Sequence, residues 1–292
     1  MRLAILSPVP EYEEDWSHIR ADYIRLFGEG TTFVDWTKAD DLADFDLVTP
    51  LLAWGYPRDA ATWFALLDRM EAAGVTVCNP VSVLRWNSDK QYLFELADKD
   101  VPIVPTRATY ALAYDDLVSV RKNFACDKLV IKPTVSGGAD GTYLLNPVDP
   151  IPASVIGKQM LVQPYFSTIA TEGEYSLFYF GGTFSHSIIK RPATGDFRVQ
   201  DQFGGYEEAV EAPEAAIMLA QSALAATSDI TATGPLAYAR VDMLRDSVGH
   251  FRLMELELIE PSLFLRFAPD GGAAFAAALL SMATEVRRTV EP

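Results

Sequence analysis

The chain has 292 residues, 49% of them hydrophobic, which is enough for a large core and for one to three domains. Its formal net charge of −16 argues against nucleic acid or a membrane surface as a partner, because both need a basic surface. The two cysteines, Cys78 and Cys126, form neither a zinc-site spacing nor a disulfide framework and suit a reducing compartment. The apolar start is too short for a signal peptide or a membrane span, so we expect a soluble cytoplasmic protein.

The first third of the chain alternates predicted strands and helices. Arg2 to Leu6 and Phe45 to Leu52 are apolar runs typical of buried strands, and "VTVCNP" resumes a strand. Ala60 to Gly74 carries apolar residues at helical spacing and ends on a glycine. This alternation predicts a small parallel sheet covered by helices.

The middle of the chain begins with a predicted helix over Asp89 to Asp98, which Asn87 or Ser88 would cap. The segments "KLVIKP" and "MLVQPYF" read as strands. Between them, "TVSGGADGTYLL" reads as a glycine-rich loop that returns into a strand.

The last part of the chain is rich in strands that follow one another directly. "GEYSLFYFGGTFSHSIIKRP" predicts a hairpin that turns at Gly181 and Gly182, and Ala212 to Thr227 predicts a helix. The strands "LAYARVDMLRD" and "HFRLMELELIE" come next, and a last helix closes the chain. An α/β start followed by antiparallel strands predicts an α/β N-terminal domain and then α+β structure.

Acidic residues are concentrated on the last two predicted strands. Glu255 and Glu257 point to the same side because strand side chains alternate, and the short turn allows Asp242 to lie opposite them. Three carboxylates on one face suit a hard cation such as magnesium, which binds a few carboxylates and keeps positions for water and phosphate oxygens. On charge alone, a solvated strand face explains the pattern equally well.

The glycine-rich loop suggests a phosphate site. Lys132 ends the preceding strand, and glycines allow backbone N–H groups to approach a polyphosphate. The spacing is not that of a P-loop, and such a loop standing alone is more often a plain hairpin. Lysines at 90, 132 and 190, together with the acidic hairpin, favour a nucleotide.

These pieces occur in the order found in the ATP-grasp ligases, and the chain resembles that superfamily from about Asn79 to Leu265. The likeness is greatest to the glutathione synthetase and D-alanine–D-alanine ligase branch, and the chain is also similar to enzymes of the O-ureido-serine cyclo-ligase type. It is carried by "ARVDML" and "MELELIEP", which place Asp242, Glu255 and Glu257 on the three metal positions. Glu257 departs from the family, which usually has Asn there.

The resemblance implies a fold and a division of the chain. The fold is an α/β N-terminal domain followed by α+β ATP-grasp lobes. Residues 1–85 would form the pre-ATP-grasp domain, 86–166 the lobe with the glycine-rich lid, and 167–292 the C-terminal lobe with the metal and acceptor sites. The implied cofactors are ATP and one or two Mg²⁺ ions, for which Mn²⁺ could substitute.

The resemblance also assigns residues one at a time. Lys190 and Arg240 would stabilise charge at the transferring phosphate, and Arg198, in a loop that ends at Gly204 and Gly205, would contact the acceptor. The nucleotide contacts comprise two lysines, the glycine-rich lid, the hinge "QPYF" and an acidic side chain that bonds the ribose hydroxyls. These residues are Lys90, Lys132, Ser136, Gly137, Gly138, Gly141, Gln163, Tyr165, Phe166 and Glu174.

Several of these residues have ordinary alternatives. Lys90 could be a helix-surface lysine, and Arg198 could simply pair with Asp196 or Asp201. Glu260 follows the predicted strand and would be a substrate-side acid or merely an exposed one.

Three other side chains lie close to the predicted site. Trp54 and Tyr56 follow a strand end, where α/β sheets bind ligands, although packing is their commoner role. His186 lies on a strand near the site and lacks metal-ligand spacing.

The function implied is an ATP-dependent carboxylate–amine or carboxylate–nucleophile ligase. It would act through an acyl phosphate on a small amino acid or derivative and release ADP and phosphate. The alternatives are a nucleotide-binding accessory or regulatory protein and a phosphotransferase. We expect small-molecule, amino-acid-like substrates and no nucleic-acid or membrane partner. The sequence leaves open whether the chain forms a homo-oligomer.

Overall fold

A computed structural model of the chain describes residues 1–290, with side chains described through Ala283. The predicted domain that ends at residue 292 therefore extends beyond the described residues. Within the described part the strands form three separate sheets. None of the described helices is long and apolar enough to cross a membrane.

The first sheet is parallel and has the order β2-β1-β3. Its strands are β1 (Leu3–Ser7), β2 (Thr32–Asp35) and β3 (Leu47–Thr49), and its helices are α1 (Ser17–Phe27) and α2 (Ala60–Ala72). The strand predicted from Phe45 to Leu52 is shorter, since Pro50 has no N–H to extend the ladder. The strand predicted at "VTVCNP" is reduced to a single bridge between Val48 and Val77.

The helix predicted over Asp89 to Asp98 with a cap at Asn87 or Ser88 is wrong in its start. Two short helices, α3 (Val81–Asn87) and α4 (Tyr92–Asp98), occupy this region. Asn87 cannot cap because its amide bonds the Leu256 carbonyl at 3.0 Å and accepts from the Leu258 N–H at 3.0 Å. The Asn87 amide therefore ties the end of α3 to the strand that carries the predicted metal acids.

The second sheet is antiparallel, with the order β4-β7-β5-β6. Its strands are β4 (Arg107–Thr109), β5 (Leu129–Pro133), β6 (Tyr143–Leu145) and β7 (Met160–Pro164), and helix α5 (Tyr114–Phe124) covers it. The glycine-rich loop connects β5 to β6, as predicted.

The third sheet is antiparallel, with the order β10-β9-β8-β11-β12. Its strands are β8 (Glu174–Phe180), β9 (Thr183–Arg191), β10 (Tyr206–Ala209), β11 (Tyr238–Arg245) and β12 (Phe251–Glu257). The accompanying helices are α6 (Thr168–Thr171), α7 (Glu214–Thr231) and α8 (Ala273–Val290). The β8–β9 turn is made by Gly181 and Gly182 at φ +56° and +76°, the left-handed pair that suits a two-residue hairpin.

The β11–β12 pairing positions the acidic residues. Asp242 lies opposite Glu255, and Arg240 lies opposite Glu257. The prediction that Asp242 faces the second acidic strand is therefore confirmed. A bulge follows Asp242, so Met243 pairs with Leu253.

Candidate active site

Two adjoining cavities lie against the β12 acids. The larger, about 260 Å³, has the rings of Tyr12, Trp54, Tyr56 and Phe264 in its wall, and we call it the aromatic cavity. The smaller, about 120 Å³, contains Lys132, and we call it the Lys132 cavity. The two share a wall that is formed by helix-turn, lid, loop and β12 residues: Lys90, Ser136, Gly137, Gly138, Val199, Gln200, Glu255 and Glu257.

A buried ion network lies behind this shared wall. Arg240 bonds Asp242 at 3.0 Å and also contacts Glu257. Lys190 contacts Glu174, its register partner on β8, and lies 3.5 Å from Asp242. The network satisfies most of these charges inside the protein, which is the condition for burying them.

The network changes the acid–base properties of its members. Burial opposes ionisation of Asp242, but Arg240 and Lys190 outweigh it and lower the pKa of Asp242. Burial likewise opposes the charge of Lys190, and Asp242 and Glu174 reverse this effect and raise its pKa. Burial raises the pKa of Glu174, and it raises the pKa of Glu257 to about 7.

A second ion pair joins β12 to the lid. Lys90, in the turn before α4, contacts Glu255 at 2.9 Å and donates to the Ser136 carbonyl. Lys90 is 5% exposed, so its alternative as a helix-surface lysine is wrong. It connects an acid of the hairpin with the glycine-rich loop.

The three predicted metal acids do not converge as expected. Among the described residues, no group of three or more His, Cys, Asp or Glu side chains is arranged to hold a metal ion. Asp242 is turned to Arg240 and Lys190, and Glu255 is turned to Lys90, because these cations supply the compensating charge. The donor chemistry still fits magnesium, since all three side chains offer oxygen atoms on one hairpin.

Lys132 is the exception to this pairing. It is 6% exposed, and its ammonium forms no ion pair or hydrogen bond with the described residues. Burial lowers its pKa. A buried cation without a partner is costly, and an anionic ligand would remove that cost.

The remaining walls of the Lys132 cavity are largely apolar. They are formed by Val104, Val130, Phe166, Ile169, Leu244 and Met254. The predicted hinge residues Gln163, Tyr165 and Phe166 all line this cavity. The Gln163 amide is engaged by Thr106 Oγ1 at 2.9 Å, which leaves the backbone of the hinge as its contribution to a ligand.

The glycine-rich loop reaches both cavities and contacts two other segments. Ser136, Gly137 and Gly138 line the shared wall, whereas Gly141 lies outside both linings. Gly141 has φ +69°, and a Cβ there would lie 2.9 Å from Pro133, so its role is to let the loop turn. Asp140 bonds Arg58 at 3.3 Å.

The structure places Arg198 away from the expected position. Its guanidinium pairs with Asp196 at 2.8 Å and lies 3.6 Å from the centre of the Phe203 ring. It lines the Lys132 cavity and does not line the aromatic cavity. Pairing with Asp196, one of its two ordinary alternatives, is what the structure shows.

The two glycines after Arg198 line neither cavity. A Cβ on Gly205 would lie 2.1 Å from the Val199 carbonyl, which explains the need for glycine there. Asp201 does line the aromatic cavity.

Several cavity residues were not singled out from the sequence. Tyr12 and Glu14 lie after β1, and the loop at the carboxyl end of a parallel strand was the available clue. Gln200, which lies in the shared wall, gave no such clue, and neither did Ser176, which lines neither cavity but donates to Asp242 at 2.5 Å.

Glu260 and His186 occupy clear positions. The strand ends at Glu257, so Glu260 is not held to the far face and lines the aromatic cavity. His186 is 6% exposed and stacks on Phe178 with ring centres 4.2 Å apart. Its Nε2 lies 3.2 Å from the Leu263 carbonyl, so it supports the segment that carries Phe264.

Comparison with known proteins identifies relatives. Residues 3–79 match the family model described as the N-terminal domain of D-cycloserine synthetase DcsG. The cycloserine biosynthesis protein DcsG of Streptomyces lavendulae is 31% identical over 264 residues, which covers 84% of each chain. The crystal structure of D-cycloserine synthetase DcsG has a TM-score of 0.82 and 28% identity, covering 96% of this chain and 99% of that one.

More distant structures share the fold. A D-alanine–D-alanine ligase from Bacillus anthracis, also solved with ATP, has a TM-score of 0.71, 17% identity and full coverage of both chains. The ATP-grasp ligase PsnB, solved with a precursor variant, Mg and ADP, has a TM-score of 0.62 and 16% identity over 97% of this chain and 98% of that one.

Proposed function

The chain belongs to the ATP-grasp ligase family of D-cycloserine synthetase DcsG, and from that premise we propose that it activates the carboxylate of a small amino acid or derivative as an acyl phosphate. A carboxylate oxygen attacks the γ-phosphorus of ATP, and ADP leaves. An amine or another nucleophile then attacks the acyl carbon, and phosphate leaves. The accessory-protein and phosphotransferase alternatives are not favoured by this family membership.

The observation that carries the proposal is the shared wall between the two cavities. Lys132 offers an unpaired charge to a polyphosphate on one side, and the aromatic cavity has room for a small molecule on the other. The lid residues Ser136 to Gly138 border both, where they could exclude water from a labile acyl phosphate.

We assign the residues to roles on this basis. Lys90, Lys132 and Lys190 face the phosphates, and Arg240 steadies the charge that develops during transfer. Asp242, Glu255 and Glu257 would hold one or two Mg²⁺ ions, with Mn²⁺ as a substitute. The metal, when bound, neutralises phosphate charge. The placement of Arg198 supports a role on the nucleotide side rather than at the acceptor.

The test is ADP and phosphate release from ATP and Mg²⁺ in the presence of a panel of amino acids and small amines. Release that requires a carboxylate and a nucleophile together supports the ligase, and the product should contain both. ADP release with a carboxylate alone, without a joined product under any condition, would point to a phosphotransferase. An unchanged melting temperature at millimolar ATP would contradict nucleotide binding.

A further inference from the structure

The charged groups of the aromatic cavity are unequally satisfied. Its basic side chains, Arg58, Lys90, Lys190 and Arg240, all have carboxylate partners. By contrast, three of its carboxylates have no hydrogen bond or ion pair with the described residues, and they belong to Glu14, Asp201 and Glu260. The groups of this cavity that remain available to a ligand are therefore acidic, although burial and the neighbouring Glu257 raise the pKa of Glu260, so its charged form needs a compensating cation.

A fourth unsatisfied acceptor lies in the shared wall. Gln200 Oε1 is buried and has no hydrogen-bond partner among the described residues. Gln200 lines both cavities, but because this oxygen is itself buried it is not exposed to a ligand in either one. The carboxyl groups are therefore the acceptors that a ligand in the aromatic cavity can reach.

Glu260 differs from the other two free acids in its surroundings. Glu14 and Asp201 are exposed, whereas Glu260 is only partly accessible. Trp54 Nε1 lies 3.4 Å from the Glu260 carbonyl, and a Cβ on Gly137 would lie 3.6 Å from Glu260 Oε1. The carboxylate thus lies between the aromatic wall and the lid.

Such surroundings match an ammonium group. A carboxylate supplies the opposite charge, and the faces of aromatic rings such as those of Trp54 and Tyr56 attract cations. A neutral hydroxyl in the same place would gain much less from either. Lys190 and Arg240 also line this cavity, and although each is paired with acids of the network, a substrate carboxylate would approach their cationic groups while the ammonium meets Glu260.

We propose that Glu260 is the specificity-determining residue that receives the ammonium group of an amino-acid substrate in the aromatic cavity. This role of Glu260 rests on the proposed ligase function. Through it, the aromatic cavity would select the amino-acid substrate by its ammonium group. The substrate carboxylate then lies on the side of Lys190 and Arg240, next to the nucleotide.

The experiment compares amino acids with hydroxy acids of the same carbon skeleton and configuration. ADP release is measured with D- and L-alanine against D- and L-lactate, and with D- and L-serine against D- and L-glycerate. The proteins are wild type, Glu260→Gln, Glu260→Asp and the control Glu29→Gln, which changes an exposed acid that lines neither cavity. Melting temperatures with and without ATP are recorded for each protein.

We expect wild type to prefer the amino acid of its best pair by about 100-fold or more in kcat/KM, since a desolvated charge pair is lost with the hydroxy acid. Glu260→Gln should lower kcat/KM for the amino acid at least tenfold, chiefly through KM, and change the hydroxy acid less than threefold. Glu260→Asp keeps the charge and should keep most of the preference. The melting temperature of Glu260→Gln should not fall, because its carboxylate holds no partner, and the ATP-induced shift should stay unchanged.

Three results would overturn the inference. One is an equal loss on both members of a pair in Glu260→Gln, and another is an undiminished preference in that variant. The third is wild-type activity on hydroxy acids that equals or exceeds activity on amino acids. Each of these leaves ATP-dependent ligation in place, whereas no ADP release with any member of the panel would contradict the proposed function as well.

Discussion

The Lys132 cavity and the aromatic cavity share one wall but leave opposite charges without a partner. The first contains a buried ammonium with no bonded acid, and the second contains the free carboxylate of Glu260. Burial disfavours the charged form of both groups, since it lowers the pKa of Lys132 and raises the pKa of Glu260, and a ligand of opposite sign would favour that form on each side. The difference indicates that the ion network in the wall separates an anion site from a cation site.

The wall itself should show the largest effect. Glu255 borders both cavities and has one ion pair, to Lys90. Because we propose that it holds the metal that neutralises phosphate charge, Glu255→Ala should lower turnover by about 10³-fold or more. Its loss would also leave the buried ammonium of Lys90 without its carboxylate, so the melting temperature should fall. The matched control is Glu208→Ala, which removes an exposed ion pair with Arg191 on the same sheet. Near-normal turnover of Glu255→Ala at saturating Mg²⁺ would remove Glu255 from the site.

Asp242→Ala should lower turnover equally and should destabilise the protein more than Glu255→Ala, because Asp242 has two buried cationic partners and Glu255 has one. Asp242 is 2% exposed and compensates Arg240 and Lys190, so its loss leaves two buried cations with reduced pairing, at about 3–5 kcal/mol. Urea or thermal unfolding measures this difference between the two acids. Equal stability of the two variants would mean that the network does not hold Asp242 as the structure shows.

The Lys132 cavity can be tested by removing its charge. Lys132→Met keeps most of the apolar stem and removes the unpaired ammonium, so the ligand-free melting temperature should stay the same or rise. ATP affinity should fall about tenfold or more, which reduces the ATP-induced shift in melting temperature. Lys122→Met, at an exposed position on α5, is the control. A full ATP-induced shift in Lys132→Met would show that the charge does not meet the nucleotide.

The pairing within the acidic hairpin could be predicted because strand alternation and a short turn constrain the register. Asp242 opposite Glu255 is the result. The parallel character of the N-terminal sheet followed from the strand–helix–strand pattern, but β2 was not predicted and "VTVCNP" contributes only a single bridge. The hairpin register was predictable because it depends on residues close together in sequence.

Contacts between distant segments could not be predicted. Asn87 looks like a helix cap, yet its amide bonds the backbone on both sides of Glu257, which is far along the chain. Arg198 was assigned by resemblance to the acceptor, and the structure shows its guanidinium stacked on Phe203 and paired with Asp196 beside the Lys132 cavity. Both outcomes depend on competition among partners that only the folded chain brings together.

A smaller effect is expected from the ion pairs that link the lid, which borders both cavities, to Arg58. Arg58 links Glu13 at 2.6 Å to Asp140 of the lid at 3.3 Å, and both of these ion pairs are exposed and therefore weak. Arg58→Ala should therefore raise ATP hydrolysis without product by about three- to tenfold, because water enters more often. Arg85→Ala, which breaks exposed pairs with Asp68 and Glu71, is the control. If the ratio of ATP hydrolysed to product formed is unchanged in Arg58→Ala, this contact does not keep the lid closed.

The smallest expected effect on turnover near neutral pH concerns His186, which supports only the aromatic cavity. The Leu263 carbonyl is an acceptor, so Nε2 carries the proton, and neutral Nδ1 accepts from the Ser185 hydroxyl. Burial lowers the pKa of His186 to about 4, below its ordinary value of about 6.5. The neutral form therefore contributes stability above pH about 6.5, and this contribution is lost as pH falls towards about 4. Its full size is on the order of 3 kcal/mol.

Acid should thus raise KM for the acceptor substrate before it weakens ATP binding. His186→Gln, which cannot ionise, should show a shallower loss of stability between pH 6.5 and 4, whereas the exposed His18→Gln should follow wild type. Parallel unfolding curves for wild type and His186→Gln would show that protonation of this ring does not affect the cavity wall.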